Sequence, residues 1–279
     1  MATSMVKGNP VKLMLSFAFP LLIGNLLQQT YNIIDAAIVG QALGPEALAS
    51  VGASSSVQFL VLGFCMGSCT GFSVPVAKYF GAGKLDKMRD YIFNGAALAV
   101  LIAAILTTLC SLLCAPILHL LSVPSDIFAD AYAYQLVIFL GIPFSILYNY
   151  LSSILRAVGD SRTPFLFLAF SAGLNIVLDL ALVYGIRMGI KGAAIATVIS
   201  QIVSGIGICI YTWMKMPELR FSLRPERIKE SQSVMGEVVR YSAASSIQQS
   251  VMNFGILMIQ GLVNSFGTAV MAAFAAAVK

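Results

Sequence analysis

The chain has 279 residues, of which 58% are hydrophobic and 10% are charged, and its mean hydropathy is +0.88. Soluble domains carry about 25% charged residues, so this composition excludes an ordinary soluble protein and predicts an all-α membrane protein built mostly of spanning helices. The net charge of +5 does not indicate a nucleic-acid partner, because the basic residues lie in short segments between long apolar runs.

Seven apolar runs are long enough to cross a bilayer, which takes about 20 residues in a helix. They cover residues 13–39, 47–76, 92–118, 129–153, 165–185, 191–213 and 241–266, and an eighth run begins after them. Short polar segments, most of them with glycine or proline, separate the runs. The sequence therefore predicts a polytopic helical bundle.

The basic residues favour one side of this predicted bundle. The N-terminus and every second loop hold all of the 17 Lys and Arg residues except Arg187, Lys191 and Lys279. Such asymmetry places the N-terminus and these loops in the cytoplasm, with the chain in the plasma membrane. Tyr91 and Trp213 lie at the cytoplasmic ends of their runs, where aromatic rings often anchor helices at the membrane interface.

A weak internal repeat suggests how the runs are grouped. With an offset of 223 residues, residues 43–49 align with residues 266–272, and six runs separate the two copies. Both copies then begin on the same side of the membrane, as in transporters made of two parallel six-helix lobes. We expect residues 1–230 to form a six-helix N-terminal lobe with a cytoplasmic linker. Residues 231–279 would begin a second lobe with helix 7 and the start of helix 8, as part of a longer 6+6 transporter.

Two of the twelve acidic residues, Asp35 and Asp179, fall well inside the predicted spans. Asp179 follows Asn175 by four residues, so the two side chains share one helix face. An ionised side chain in a spanning helix costs at least about 2.5 kcal/mol on insertion scales. Two carboxylates brought together there cannot both stay ionised without a cation. We therefore predict a cation or proton site at these residues. Thr197 of the sixth run lies at a similar depth in the membrane and is expected to contribute to it.

Asp35 ends a polar stripe on the first predicted helix. Asn25, Gln28, Asn32 and Asp35 follow one another at steps of three, four and three residues, which places them near one face. The amides could simply bind neighbouring helices, whereas the carboxylate favours a functional site. Pro20, earlier in the same run, removes a backbone hydrogen bond and permits a helix bend.

Several other functions lack the residues that they require. No phosphate-binding loop, GxSxG or HExxH motif occurs, so we expect neither an enzyme nor a cofactor. An intramembrane aspartyl protease needs Tyr-Asp and Gly-x-Gly-Asp, whereas Asp35 follows Ile34 and Asp179 follows Leu178. A non-transporting receptor or scaffold would not need an amide and a carboxylate in mid-helix.

Three segments of the chain resemble the multidrug and toxic compound extrusion (MATE) family, in particular its DinF-like branch. They are FAFPLLIGNLLQQTYNIIDAAIVGQALGPEALA, RAVGDSRTP, and NIVLDLALVYG followed by GIKGAAIATVISQ. The resemblance implies a secondary antiporter that exports cationic, amphipathic compounds in exchange for Na⁺ or H⁺ as its two lobes rock between outward- and inward-open states. It implies a cation site of Asp35, Asn175, Asp179 and Thr197, with Tyr31 and Asn149 as further neighbours.

On this interpretation the partners are small amphipathic molecules and membrane lipid, and we expect a monomer. A lipid-linked oligosaccharide flippase of the same superfamily is the alternative. Such flippases tend to line their cavity with several basic residues, whereas none lies in the interior of a predicted span here.

Overall fold

The computed structural model describes residues 8–121, 123–220 and 232–265, and these residues form helices joined by short turns, with no strand among them. The α-helices are α1 (Pro10–Leu43), α2 (Pro45–Gly81), α3 (Leu85–Leu112), α4 (Cys114–Leu120), α5 (Phe128–Leu140), α6 (Ile142–Ala157), α7 (Arg162–Asp179), α8 (Ile190–Lys215) and α9 (Met235–Ser265). A π-helical segment (Leu180–Gly185) follows α7, and short 3₁₀ turns cover Pro217–Leu219 and Gln232–Val234. The prediction of an all-α membrane protein is confirmed.

Each of the seven predicted spans is helical, although the third and the fourth are each divided between two helices. Among the described residues, five helices are long and apolar enough to cross a membrane, and the bent pair α5–α6 adds a sixth span if it is counted as one. The helix α9 lies where the seventh span was predicted but is not in this set, because residues such as Arg240, Gln248 and Asn253 interrupt its apolar sequence. The eighth run and the second copy of the repeat lie outside the described residues.

The predicted fourth span is not one straight helix. The helices α5 and α6 are bent by 45° relative to each other, with Gly141 between them. Pro143 lies in the first turn of the second helix, and its lack of an N–H group favours a break in the helix just before this turn. A Cβ atom at Gly141 would lie 2.7 Å from a methyl group of Val198, so glycine allows α8 to pack closely against the bend.

The predicted fifth span changes its helical type at Asp179. The next six residues form a π-helical turn, after which the N–H of Ile186 donates to the carbonyl of Ala181, five residues earlier. Such wider turns are rare and frequently lie at functional sites. The acidic residue of this span therefore occupies the junction between two helix types.

The apolar core lies among α2, α3, α5 and α6. Its largest fully buried side chains include Phe72, Met88, Phe139 and Ile154. The helix α1 continues through Pro20 and stays at the edge of this core, with only Gly24, Ile38 and Val39 buried among its described side chains.

Close packing joins α2 to α9 through three glycines. A Cβ atom at Gly67 would lie 2.8 Å from the backbone of Ser245 and Ser246, and one at Gly71 would lie 2.5 Å from the carbonyl oxygen of Tyr241. Gly63 faces the same helix one turn earlier. We call this contact the glycine seam. It is the arrangement that small residues at every fourth position favour between membrane helices.

One predicted interfacial anchor is wrong. Tyr91 is only 2% exposed, stacks on Tyr79 with ring centroids 5.0 Å apart, and donates a hydrogen bond to the carboxylate of Glu237 in α9. Its ring therefore packs between helices because a helix-to-helix hydrogen bond satisfies its hydroxyl. Trp213, in contrast, is half-exposed, as the prediction requires.

Candidate functional site

The structure brings Asp35 and Asp179 together from helices that are distant in sequence. Asp35 of α1 is half-buried, Asp179 at the end of α7 is fully buried, and their carboxyl groups are in polar contact. The Oδ1 atom of each carboxyl is buried and has no hydrogen-bond partner among the described residues. A direct bond between two carboxyl groups needs a proton on one of them, and two ionised groups would need a cation nearby.

Asn175 and Thr197 hold one side of this acidic pair. The Asn175 amide is oriented by its partners: its nitrogen donates to Asp179 Oδ2 at 2.9 Å, and its oxygen accepts from the Thr197 N–H at 3.1 Å. The Thr197 hydroxyl donates to the carbonyl of Ala193 at 3.1 Å within α8. The predicted spacing of four residues in α7 therefore produces a direct amide–carboxylate contact, which α8 orients.

Two tyrosines complete the surroundings of the acidic pair. Tyr31 lies one turn before Asp35 on α1, and its hydroxyl contacts Thr197. Tyr134 of α5 is buried beside Asp35 and Tyr31 and contacts Gln58 of α2. We call Tyr31, Asp35, Tyr134, Asn175, Asp179 and Thr197 the acidic cluster.

The sequence analysis missed Tyr134 and the amides behind it. Gln58 Nε2 donates to Gln135 Oε1 at 3.1 Å, which joins α2 to α5 next to the cluster, and Gln135 is fully buried. The available signal was a glutamine inside an apolar run, at residue 58 and again at residue 135. The search for ionisable residues passed over both.

A polar cavity of about 230 Å³ adjoins the cluster between α1, α2, α6, α7 and α8. Asn175, Thr197 and Tyr31 line one end, and Arg156 and Ser161 line the other. Asn149 lies between them, and its amide donates to the carbonyl of Ser145 at 2.8 Å. The Ser145 hydroxyl in turn donates to Gln201 Oε1 at 2.5 Å. Pro20 and Gln28 also line the cavity. The cavity thus connects the cluster with the loop that joins α6 to α7.

The placement of Arg156 corrects the sequence analysis. It was assigned to a polar loop, but α6 continues to Ala157, and Arg156 lies in its last turn against the cavity. Its guanidinium donates to the hydroxyl of Ser153 at 3.1 Å, which holds it beside the helix end. Arg156 is therefore a basic group of the cavity that the positions of the predicted spans did not indicate.

Asn32 is not brought into the site. It is exposed, and its amide donates to Gln29 Oε1 at 3.3 Å on the same helix. At 3.6 residues per turn, Asn32 lies about 60° around α1 from Asp35, whereas Tyr31 lies about 40° to the other side. The contacts of α1 with α7 and α8 include Asp35 and Tyr31, respectively, and leave Asn32 outside.

The cluster supplies oxygen ligands of the kind that hard cations such as Na⁺ prefer. These are carboxyl groups from two helices and hydroxyl groups from Tyr31 and Thr197. Among the described residues there is no group of three or more His, Cys, Asp or Glu side chains that could hold a metal ion. Two carboxyl groups can accommodate a proton or a single monovalent cation.

Apolar helices around a buried acidic pair and a polar cavity define a polytopic membrane protein with a candidate functional site, since ionisable groups inside spans are costly and frequently functional. The MatE family model matches residues 20–181, which include both aspartates and more than half of the chain. The chain belongs to the MatE family. The predicted resemblance to the MATE family is thereby confirmed, while the DinF-like branch stays a prediction.

Sequence similarity to individual proteins supports this family assignment. The chain is 31% identical over 275 residues to the probable multidrug resistance protein YpnP of Bacillus subtilis. This alignment covers 99% of the chain and 61% of the relative. It is also 32% identical over 256 residues to the probable multidrug resistance protein NorM of Thermotoga maritima. That alignment covers 90% of the chain and 54% of the relative. The chain therefore spans somewhat more than half the length of these relatives.

Solved structures show the same fold. A MOP superfamily transporter from Pyrococcus furiosus, described as having a binding pocket of reversed polarity, superimposes with a TM-score of 0.88 at 24% identity, over 98% of this chain and 60% of that chain. At this level of identity the likeness concerns the fold alone.

Proposed function

We propose that this chain provides the ion-coupling lobe of a secondary antiporter that exports cationic, amphipathic compounds in exchange for Na⁺ or H⁺. The observation that carries the proposal is the contact between Asp35 and Asp179, two buried carboxyl groups from different helices. The names of the relatives, multidrug resistance proteins, support the class of substrate.

The acidic cluster couples ion binding to helix packing through its charge. When neither proton nor cation is bound, the two carboxylates repel each other and favour separation of α1 from α7. A bound proton or Na⁺ removes this repulsion and favours the closed arrangement. Alternating access follows if this change in the position of α1 accompanies the rocking of the two lobes, because a ligand shifts an equilibrium only through different affinities for its two states.

The polar cavity supports a path for the ion. It leads from Asn175 and Thr197 to Arg156 and Ser161, at the end of the bundle that carries the basic loops. By the positive-inside rule this end faces the cytoplasm, with the N-terminus on the same side of the plasma membrane. A coupling ion released from the cluster would leave through hydrogen-bonding groups on this route.

The flippase alternative has less support. Arg156 is the one basic side chain among the described residues that line the polar cavity, and a lipid-linked, anionic cargo calls for several. The two acidic residues instead favour exchange of cations.

The test is transport by the intact protein in vesicles under imposed Na⁺ or proton gradients, with Asp35→Asn and Asp179→Asn compared with the unmodified protein. Asparagine keeps the shape of the side chain and removes its charge. We expect both variants to insert normally and to lose gradient-driven efflux of a cationic dye by at least about tenfold, the effect of about 1.4 kcal/mol. Asp130→Asn, an exposed position on α5, is the matched control and should transport normally. Unchanged efflux in both cluster variants would refute the assignment.

A further inference from the structure

An apolar groove runs along the bundle between α3, α6 and α8, away from the acidic cluster. Its volume is about 540 Å³, within the range of about 300–1,000 Å³ that is typical of sites for small ligands. Val100 is 70% exposed and Trp213 is 51% exposed, and both line the groove. The groove therefore opens on the outer surface of the spanning helices, where the surrounding medium is lipid.

The polar groups of the groove wall are already satisfied. The Tyr150 hydroxyl donates to the carbonyl of Ile92 at 2.5 Å, and the Thr212 hydroxyl donates to the carbonyl of Ile208 at 2.7 Å. The remaining wall is mostly alkyl and aromatic, with Ala99 and Ala103 of α3 leaving space opposite Leu147 of α6. Such a wall favours a hydrocarbon chain and offers little to a polar solute.

The length of the groove matches one leaflet of a bilayer. Along α3 it extends from Ile92 to Ala104, twelve residue steps or about 18 Å at 1.5 Å per residue. Half of the hydrocarbon core of a bilayer is about 15 Å thick. On α6 the groove ends at Pro143, next to the bend at Gly141, so the bend closes it near mid-membrane.

The other end of the groove has the chemistry of a headgroup site. Arg220 Nε donates to the Trp213 carbonyl at 2.6 Å, Arg220 Nη2 donates to the Met214 carbonyl at 3.4 Å, and the guanidinium lies 5.8 Å from the Trp213 ring centroid. These bonds use two of the five N–H groups of a guanidinium and hold it at the groove mouth. Tryptophan is typical of the membrane interface, and arginine binds phosphate well.

Further charged groups lie near the mouth of the groove. Arg89 Nε donates to the carbonyl of Glu218 at 3.0 Å, so a second guanidinium adjoins the turn that precedes Arg220, and Lys215 ends α8 just before this turn. Glu218 lies in the turn before Arg220, Asp90 follows Arg89 on α3, and Asp86 lies 3.6 Å from Arg89. Arg220 makes no salt bridge among the described residues, so its charge favours an anionic headgroup over a zwitterionic one.

We propose that this groove binds one acyl chain of an anionic phospholipid from the leaflet that contacts the basic loops, with the lipid phosphate on Arg220. The site is distinct from the acidic cluster and from the polar cavity, and it does not depend on the transported compound. Because its walls come from α3, α6 and α8, a bound lipid would stabilise the contact of these three helices on the outside of the bundle.

Photolabelling of the intact protein tests this site. The protein is reconstituted in phosphatidylcholine vesicles with a trace of phosphatidylglycerol that carries a diazirine on its acyl chain, and labelled peptides are identified by mass spectrometry. We expect labelling concentrated in residues 92–104 and 143–154, and unlabelled phosphatidylglycerol should compete more strongly than added phosphatidylcholine. Arg220→Gln should weaken this preference about fivefold, the effect of about 1 kcal/mol per basic residue near a membrane surface.

Two matched pairs of variants separate the site from general lipid contact. Ala99→Leu/Ala103→Leu fills the groove and should abolish the concentrated labelling, whereas Ala97→Leu, on the exposed face of the same helix, should not. Lys12→Gln, an exposed basic residue at the start of α1, which does not line the groove, is the control for Arg220→Gln and should leave the preference intact. Because Arg220→Gln leaves the walls unchanged, it remains informative if the filled variant fails to fold.

Three results would overturn the proposal. Labelling spread evenly over all lipid-facing helices would indicate annular lipid only. Competition by a hydrophobic cation such as tetraphenylphosphonium, with none by phosphatidylglycerol, would indicate a site for exported solutes. Competition by inorganic phosphate alone would show that Arg220 binds a free anion and that the groove is not involved.

Discussion

The glycine seam and the acidic cluster are both contacts between helices, yet they are built on opposite principles. At the seam, Gly67 and Gly71 bring α2 into backbone contact with α9, and the hydroxyls of Ser68 and Ser246 hydrogen-bond at 2.7 Å. At the cluster, α1 meets α7 through two carboxyl groups, each with one buried oxygen that has no partner among the described residues. The seam is fully packed and satisfied, whereas the cluster is satisfied only when it holds a proton or a cation.

This difference shows where the molecule can change its structure. Packed backbones have one good arrangement, because any separation loses close contacts that membrane lipid does not replace. A pair of buried carboxyl groups has two favourable arrangements, because the preferred distance between the groups depends on whether both are ionised. Because the seam joins α2 of the predicted first lobe to α9, the first helix of the predicted second lobe, we expect it to act as the pivot of the rocking, and α1 as the element whose position responds to the ion.

The largest expected effect is the loss of the seam. Gly71→Ala places a Cβ atom 2.5 Å from the Tyr241 carbonyl oxygen, so the two helices must move apart, and overpacking of this kind costs about 1–3 kcal/mol or more. Gly52→Ala, on the same helix with open space around it, should be neutral or slightly stabilising. Thermal unfolding in detergent measures both, and equal melting temperatures for the two variants would contradict the packing argument.

Substitution in the acidic cluster should raise the stability of the protein, whereas substitution in the glycine seam should lower it. In sodium-free buffer at alkaline pH, Asp179→Asn removes one of two buried like charges, and we expect the free energy of unfolding to rise by about 1 kcal/mol, near the lower end of the cost of an unsatisfied buried polar group. Added Na⁺ should stabilise the unmodified protein and reduce the difference. The same unfolding assay, repeated with and without Na⁺, measures this. A variant less stable than the unmodified protein under both conditions would show that the pair is a structural element.

A smaller effect is expected at the hydroxyl that adjoins the pair. Thr197→Val keeps the shape of the side chain and removes the contact with Tyr31, so we expect the apparent affinity for the coupling ion to fall about fivefold, the effect of one hydrogen bond worth about 1 kcal/mol. The control is Thr107→Val in α3, whose hydroxyl has no hydrogen-bond partner among the described residues. The ion dependence of transport in vesicles distinguishes the two, and equal shifts would exclude a specific role for Thr197.

The smallest effect is expected at Asn32. Although it shares the polar stripe with Asp35, it is exposed and bonded only within α1 among the hydrogen bonds described. Asn32→Ala should change stability by less than about 0.5 kcal/mol and leave the ion dependence of transport unchanged. Asn175→Ala is the informative comparison, since it removes a direct contact with Asp179. An ion dependence altered by Asn32→Ala would extend the cluster to the exposed side of α1.

Much of this arrangement follows from the sequence because burial in a membrane makes ionisable residues costly and therefore conspicuous. The four-residue step from Asn175 to Asp179 predicted the contact that the structure shows, and the shared depth of the spans pointed to Asp35 as the partner. Their function as an ion site stays a prediction.

Other features carried no such signal. Tyr134 and Gln58 are uncharged, so their positions in apolar runs did not distinguish them from residues that pack against lipid. The sequence position of Tyr91 predicts an interfacial anchor, and only the hydrogen bond that its hydroxyl donates to Glu237 of a distant helix shows its actual environment. Hydropathy also cannot distinguish a π-turn from an α-turn, because both are equally apolar. Contacts between distant segments decide each of these cases.

The π-helical segment after Asp179 has a consequence for the length of the chain. A π-turn holds about one residue more than an α-turn, so loss of a single residue from Leu180–Gly185 can be absorbed by a return to regular α-helix. The same deletion within α7, before Asn175, would rotate both site residues away from Thr197 by about 100°. Length variation among homologous chains should therefore be tolerated just beyond the aspartate and selected against just before it.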